Sequence, residues 1–222
     1  MGYGKATSDL LANIYARGID HAVLLMRHSA REYDPEKHDL DNPLTNEGRE
    51  YARILGADLP NGLTARGYAS PSNRCMETAD LVLESYKNSG GTITRNRPVE
   101  GLGIFYVLDQ MKMWRFMTDL GGLAPFVDAW FRGEVTEGVM IKSDQAANII
   151  LGILSERLDE QTFPRQLDVC VSHDITLYLM RNRLLGQGTD RGPVHYLDAV
   201  AAYMRDGALW LETSLGPPVR VR

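Results

Sequence analysis

Apolar positions along the chain fall into two rhythms, and their alternation sets out the elements. A strand-length run, Ala22-Val23-Leu24-Leu25-Met26, is apolar at every position, as expected of a strand covered on both faces in a parallel or mixed sheet. Residues 8–18 before it carry Leu10, Leu11, Ile14 and Tyr15 at helical spacing, with Gly18 as a stop. After it, residues 32–43 are polar and Pro-bounded and predict a loop in which His38 is a solvated side chain. Thr45 then caps a helix whose apolar face uses Tyr51, Ile54, Leu55 and Leu59, broken by Pro60-Asn61-Gly62. A short strand over 66–70 is followed by a helix from Arg74 to Tyr86, which Asn88-Ser89-Gly90-Gly91 ends, and a third strand over 92–98.

The segment 99–145 is the least regular. Short helices around 108–118 and 123–132 carry Met111, Met113, Trp114, Phe116, Met117, Phe126, Trp130 and Phe131, a set read first as core and also as a candidate cap. A long helix over 143–158 turns Ile149, Ile150, Ile153 and Leu154 inward. The strand Leu167–Val171 then runs into Ser172-His173-Asp174, repeating the pattern of the first strand, and a helix over 175–185 ends at Gly186. Residues 198–204 and 208–213 form a hairpin across Asp206-Gly207, and the tail at Gly216-Pro217-Pro218 is extended. Strands alternating with helices predict an α/β fold: a three-layer α/β/α sandwich with a mostly parallel central sheet, residues 1–222 forming one domain and 99–145 a small helical cap insertion.

Composition narrows the function. A net charge of −5 argues against a general nucleic-acid binder, while a local arginine cluster can still receive a phosphorylated ligand. No run reaches the roughly 20 apolar residues of a membrane span, and the first residues lack the apolar core of a signal peptide. The two cysteines, Cys75 and Cys170, read as free structural thiols of a reducing cytosol, so the expectation is a cytoplasmic protein without membrane contact.

The chemistry gathers where strands give way to helices. Arg27-His28 with Arg31, then Arg74, then His173-Asp174 follow three successive strand ends. Parallel neighbours would bring such junctions to one carboxyl edge of the sheet. Arginine forks meet phosphate oxygens in bidentate fashion, and cationic neighbours keep a histidine neutral and nucleophilic. Taken alone, Arg27–Arg31 is equally a solvated loop after a strand; the companion junctions decide against that. The remaining histidines, His21, His38 and His195, offer no metal-ligand spacing, so no metal or other cofactor is expected. His21 reads as a strand-flanking and His195 as a loop histidine.

These residues resemble the motifs of the histidine phosphatase superfamily, the phosphoglycerate-mutase-like fold that also includes histidine acid phosphatases. Its Arg-His-Gly signature appears as Arg27-His28-Ser29, and its Leu-Thr-x-x-Gly as Leu44-Thr45-Asn46-Glu47-Gly48. Ser70-Pro71 with Arg74, Thr78 and Ala79 matches the third pattern, and Val171-Ser172-His173-Asp174 the second histidine motif. The resemblance implies a metal-independent phosphomonoester hydrolase with His28 as nucleophile and Arg27, Arg74 and His173 holding the phosphoryl oxygens. Arg31 stands where the acid-phosphatase branch has a further phosphate-binding arginine. The proton donor would be Asp174 by likeness to that branch, or Glu100 by likeness to the mutase-like branch. Ser29 departs from the signature: its side chain either narrows the pocket or donates a hydrogen bond to the phosphoryl group. The expected partner is a phosphorylated metabolite or a phosphoprotein. A non-catalytic module binding phosphorylated ligands and a mutase-like phosphotransferase remain alternatives.

Overall fold

The apolar run Ala22–Met26 is covered on both sides, as its composition requires. In the computed structural model, which describes residues 2–34 and 42–221, Val23 and Leu25 point into one core and Ala22, Leu24 and Met26 into another. This strand, β1 (His21–Arg27), lies near the middle of a sheet with β2 (Thr64–Ala69), β3 (Thr92–Pro98), β4 (Gln166–Ser172), β5 (Ala199–Arg205), β6 (Ala208–Thr213) and β7 (Gly216–Arg220). The order across the sheet is β3-β2-β4-β1-β5-β6-β7. Strands β3, β2, β4 and β1 run parallel, whereas β5, β6 and β7 each pair antiparallel with their neighbours. The α/β/α sandwich with a parallel centre is therefore observed, with an antiparallel wing that begins at β5 and turns at the Asp206-Gly207 hairpin.

On one face pack α1 (Lys5–Ala16), α2 (Asn46–Ala57) and α3 (Asn73–Asn88); on the other lie α4 (Gln110–Asp119), α5 (Leu123–Phe131), α6 (Ser143–Asp159) and α7 (Asp174–Leu185). The α1 face matches its periodicity, with Leu10, Leu11, Ile14 and Tyr15 all buried. Two faces differ from expectation. In α2 the buried stripe is Gly48, Ala52, Leu55 and Gly56, while Ile54 is exposed. In α6 it is Ala146, Ala147, Ile150, Leu151, Leu154 and Leu158, while Ile149 is exposed. In α2 small residues define the contact because the neighbouring backbone comes close: a Cβ on Gly56 would lie 2.3 Å from the Val82 carbonyl oxygen. Hydropathy alone ranks Ile above Gly and Ala and so rotates the inferred face.

The tail does more than run extended. As β7 it pairs with β6 at the sheet edge, where Pro217 and Pro218 suit a strand with one unpaired side. The thiols of Cys75 and Cys170 are buried and unpaired. Of the histidines, His38 lies outside the described residues, and His195 is exposed. His21 belongs to β1 itself and is buried. It reaches Asp168 of β4 at 3.0 Å, and Arg66 of β2 clasps the same carboxylate through two contacts of 2.5 and 2.6 Å. Among the described residues no helix is long and apolar enough to cross a membrane.

Candidate active site

The strand-end residues converge as the parallel centre demands. The His28 N–H donates to the Ser172 carbonyl (3.0 Å) and the Ser70 N–H to the Val171 carbonyl (2.9 Å), so the chains leaving β1, β2 and β4 stay bonded beyond the sheet. Arg27 and His28 leave β1, His173 caps α7 and Asp174 opens it, and Arg74 sits in the first turn of α3. A cation there opposes the helix macrodipole unless an anion completes the cluster.

His28 has a defined tautomer. Its Nδ1 lies 2.8 Å from the Ser29 carbonyl oxygen, which can only accept, so Nδ1 carries the proton. Its Nε2 accepts from the Nε–H of Arg74 at 3.1 Å. The lone pair is therefore on Nε2, turned toward the arginine. Burial above all, then His173, Arg74 and Arg27, hold the imidazole pKa well below its ordinary 6.5. The ring of His173 stands edge-on to it, with centroids 5.7 Å apart.

Arg27 is locked from three sides. One Nη donates to the Val194 carbonyl (2.7 Å), the other meets an Asp174 carboxylate oxygen at 2.9 Å, and the guanidinium stacks 4.1 Å over the Tyr196 ring. His173 sits 3.0 Å from the Ser70 hydroxyl through Nε2. Cys75 lies beneath, its thiol pushed up to about 12 by burial, which keeps it protonated and inert.

The structure gives Ser29 a backbone acceptor for its hydroxyl. Its side chain is fully buried, and its hydroxyl donates to the Gly48 carbonyl at 2.6 Å instead of facing a phosphoryl group. A hydroxyl has one proton to give. The Leu-Thr-x-x-Gly motif explains the arrangement. Leu44 bridges to Arg31, and the Thr45 hydroxyl accepts from the Gly48 N–H (2.9 Å) to cap α2. Gly48 allows close approach: a Cβ there would lie 2.0 Å from the Ala30 carbonyl oxygen. Thr78 accepts the Ser29 N–H (3.1 Å) and donates back to the Arg74 carbonyl (2.7 Å). The four-residue spacing from Arg74 to Thr78 thus joins the loop after His28 to the helix turn that bears the arginine.

Above these residues opens a cleft of about 320 Å³, lined by Arg31, Arg74, His173 and Asp174 on one side and by residues of 104–123 on the other. The Met and aromatic set divides here: Phe126 and Trp130 are core, Met113 belongs to the core and also borders the cleft, and Trp114 and Met117 line the cleft. Glu100 lies apart from Asp174. It is exposed, in a one-turn 3-10 helix (Glu100–Leu102) after β3, and lines a neighbouring depression with Ser70, Ser72 and His173. His173 and Ile104 border both spaces. Reasoning from sequence missed Tyr196, Tyr33 and Ser70 as site residues. Ser70 stood within the quoted Ser-Pro pattern and Tyr33 within the loop 32–43, a segment outside the motifs where substrate recognition is expected, but nothing around Tyr196 marked it. Among the described residues no group of three or more His, Cys, Asp or Glu side chains is placed to hold a metal ion.

Comparison with known proteins agrees with this geometry. Residues 23–95 match the family model of the histidine phosphatase superfamily (branch 1), a stretch that includes Arg27, His28, Arg31 and Arg74. No curated protein sequence matches the chain significantly. Among solved structures, YhfR of Bacillus stearothermophilus superposes with a TM-score of 0.59 at 18% identity, covering 88% of this chain and 100% of its own. The phosphoglycerate mutase of Bacillus anthracis gives 0.54 at 19% identity, covering 89% and 94%. A phosphoserine phosphatase of Entamoeba histolytica gives 0.52 at 16% identity, covering 91% and 95%. The resemblance read from the motifs is borne out, and the fold is the phosphoglycerate-mutase-like one.

Proposed function

We propose that the protein is a phosphomonoester hydrolase working through a phosphohistidine on His28, without a metal. The observation that carries this reading is the state of His28: a neutral ring whose Nδ1–H is anchored to the Ser29 carbonyl and whose Nε2 lone pair points to the arginine expected to hold the phosphoryl group. In the first step the Nε2 lone pair forms a bond to phosphorus while the ester P–O bond breaks. The phosphoryl charge is taken by Arg27, Arg74 and His173, with Arg31 at the rim. Asp174 gives its proton to the departing alkoxide. In the second step the Asp174 carboxylate removes a proton from water, the hydroxide bonds to phosphorus, and the P–N bond breaks, returning its electron pair to Nε2 and releasing orthophosphate. The guanidiniums supply the positive charge that a divalent cation provides in other phosphoryl-transfer sites.

Glu100 is the second candidate for the acid, because it shares a depression with His173. The proposed enzyme is cytoplasmic and acts on a phosphorylated metabolite or phosphoprotein. The test is phosphate release from a panel of phosphomonoesters in EDTA by wild type and His28→Ala, with a 31P search for phosphohistidine in wild type. Release that survives chelation and disappears in the variant is expected. Thermal stabilisation by orthophosphate with no release from any ester would instead make the site a binding module.

A further inference from the structure

The cleft beyond the phosphate-holding residues has a chemistry of its own. Its far wall is Ile104, Met113, Trp114, Met117, Leu123 and Ile175. Once Arg31, Arg74, His173 and Asp174 are assigned to the reacting phosphoryl group, Gln110, the Tyr33 hydroxyl and the Trp114 indole N–H are the polar side-chain groups left along the lining among the described residues. A sugar or polyol placed there would surrender several hydroxyl–water bonds and regain few, because buried hydroxyls without partners are costly. A hydrocarbon or ring would remove apolar wall from water. Two methionines give this wall adaptable shape, and Trp114 with Tyr33 offer flat faces for a ring. The size, about 320 Å³, suits a single small-molecule group.

We infer that the alcohol released by this site is apolar or aromatic, so that the substrates are small phosphomonoesters of hydrophobic alcohols, with Met113, Met117, Trp114 and Leu123 as the specificity-determining wall. The inference rests on the phosphatase reading of the same site. Class selection occurs at the leaving group, since the phosphoryl half is common to every ester.

The test compares phenethyl and hexyl phosphates with glucose 6-phosphate and glycerol phosphate. The alcohols have similar acidity, so differences in kcat/KM report recognition and not leaving-group chemistry. A preference of about tenfold or more for the apolar pair is expected, expressed mainly in KM. Trp114→Ala and Met117→Gln should each cut that preference severalfold; Trp114 is 37% exposed, so its removal leaves the core intact. Equal or better use of the polyol phosphates overturns the inference while leaving the phosphatase reading standing. So does a preference unchanged in both variants, or a phosphoserine peptide exceeding every small ester. Absence of His28-dependent release from all of them overturns the phosphatase reading itself.

Discussion

The Nε of Arg74 lies 3.1 Å from Nε2 of His28, so the expected nucleophile and the arginine expected to hold the phosphoryl group are hydrogen-bonded to each other. An incoming phosphoryl group must take over that N–H, which frees the lone pair at the moment the oxygens are gripped. Arg74→Ala removes the donor and should lower kcat/KM by about 10²–10³-fold, the range found when one charge-stabilising donor is deleted. Arg74→Lys keeps the charge but loses the planar fork and should recover only a fraction of the rate. Steady-state kinetics on one ester checks both; a Lys variant equal to wild type would show that the fork is not used.

The charge state of His28 gives a second expectation. Burial, and behind it His173 and two guanidiniums, hold its pKa well below 6.5. The neutral form attacks, so activity dependent on this ring persists as pH falls through 6.5 and is lost only when the depressed pKa is crossed. The unfolded chain binds that proton first, so below pH 6.5 this residue also subtracts from folding stability. Ring 15N shifts at pH 6 should show the neutral Nδ1–H tautomer. In Arg74→Gln one of the lesser causes is gone, and the titration should move up toward 6.5 without reaching it, because burial remains.

Much of this was legible in the sequence, and the rest was not for identifiable reasons. The apolar run ending at Arg27-His28 and its echo ending at His173 marked the two central parallel strands, since side chains covered on both faces leave no polar alternation. Residues near in sequence to a motif came with it. Tyr196 did not: it reaches Arg27 only because the loop before β5 crosses the same sheet edge. His21 reads as a strand flank, yet register sets it beside Asp168 and Arg66 as one buried ionic cluster. The acceptor of the Ser29 hydroxyl, Gly48, sits in another motif whose closeness only the fold reveals.

That contact makes Ser29 a structural residue with a measurable signature. Ser29→Ala removes the side-chain hydrogen bond to the Gly48 carbonyl, which α2 itself still satisfies, at a cost of about 0.5–1.5 kcal/mol. For a chain of this size each kcal/mol corresponds to a fall of about 2–4 °C in melting temperature. The loss should appear in thermal denaturation, with kcat/KM reduced far less than in Arg74→Ala. Gly48→Ala should be worse, because its Cβ would stand 2.0 Å from the Ala30 carbonyl oxygen, a backbone atom that cannot step aside without moving the loop after His28. A Ser29→Ala protein of unchanged stability and sharply lower kcat would return Ser29 to the phosphate pocket.

The proton donor can be identified by what each carboxylate touches. Asp174 lines the cleft and holds Arg27 at 2.9 Å, so it stands on the same side as the alcohol to be released; Glu100 faces the depression beyond His173. General acid catalysis is worth about 10²–10⁴-fold, and most of that is needed only when the leaving alkoxide is a strong base. Asp174→Asn should therefore cut the rate on a simple alkyl phosphate by about that factor and on p-nitrophenyl phosphate much less. Removing the carboxylate also releases Arg27 from one of its restraints, which would depress both substrates equally, so the ratio between the two esters is the informative quantity. Glu100→Gln should leave that ratio unchanged. If the ratio shifts in Glu100→Gln and holds in Asp174→Asn, the acid is Glu100, and the alcohol leaves past Ile104 into the other depression.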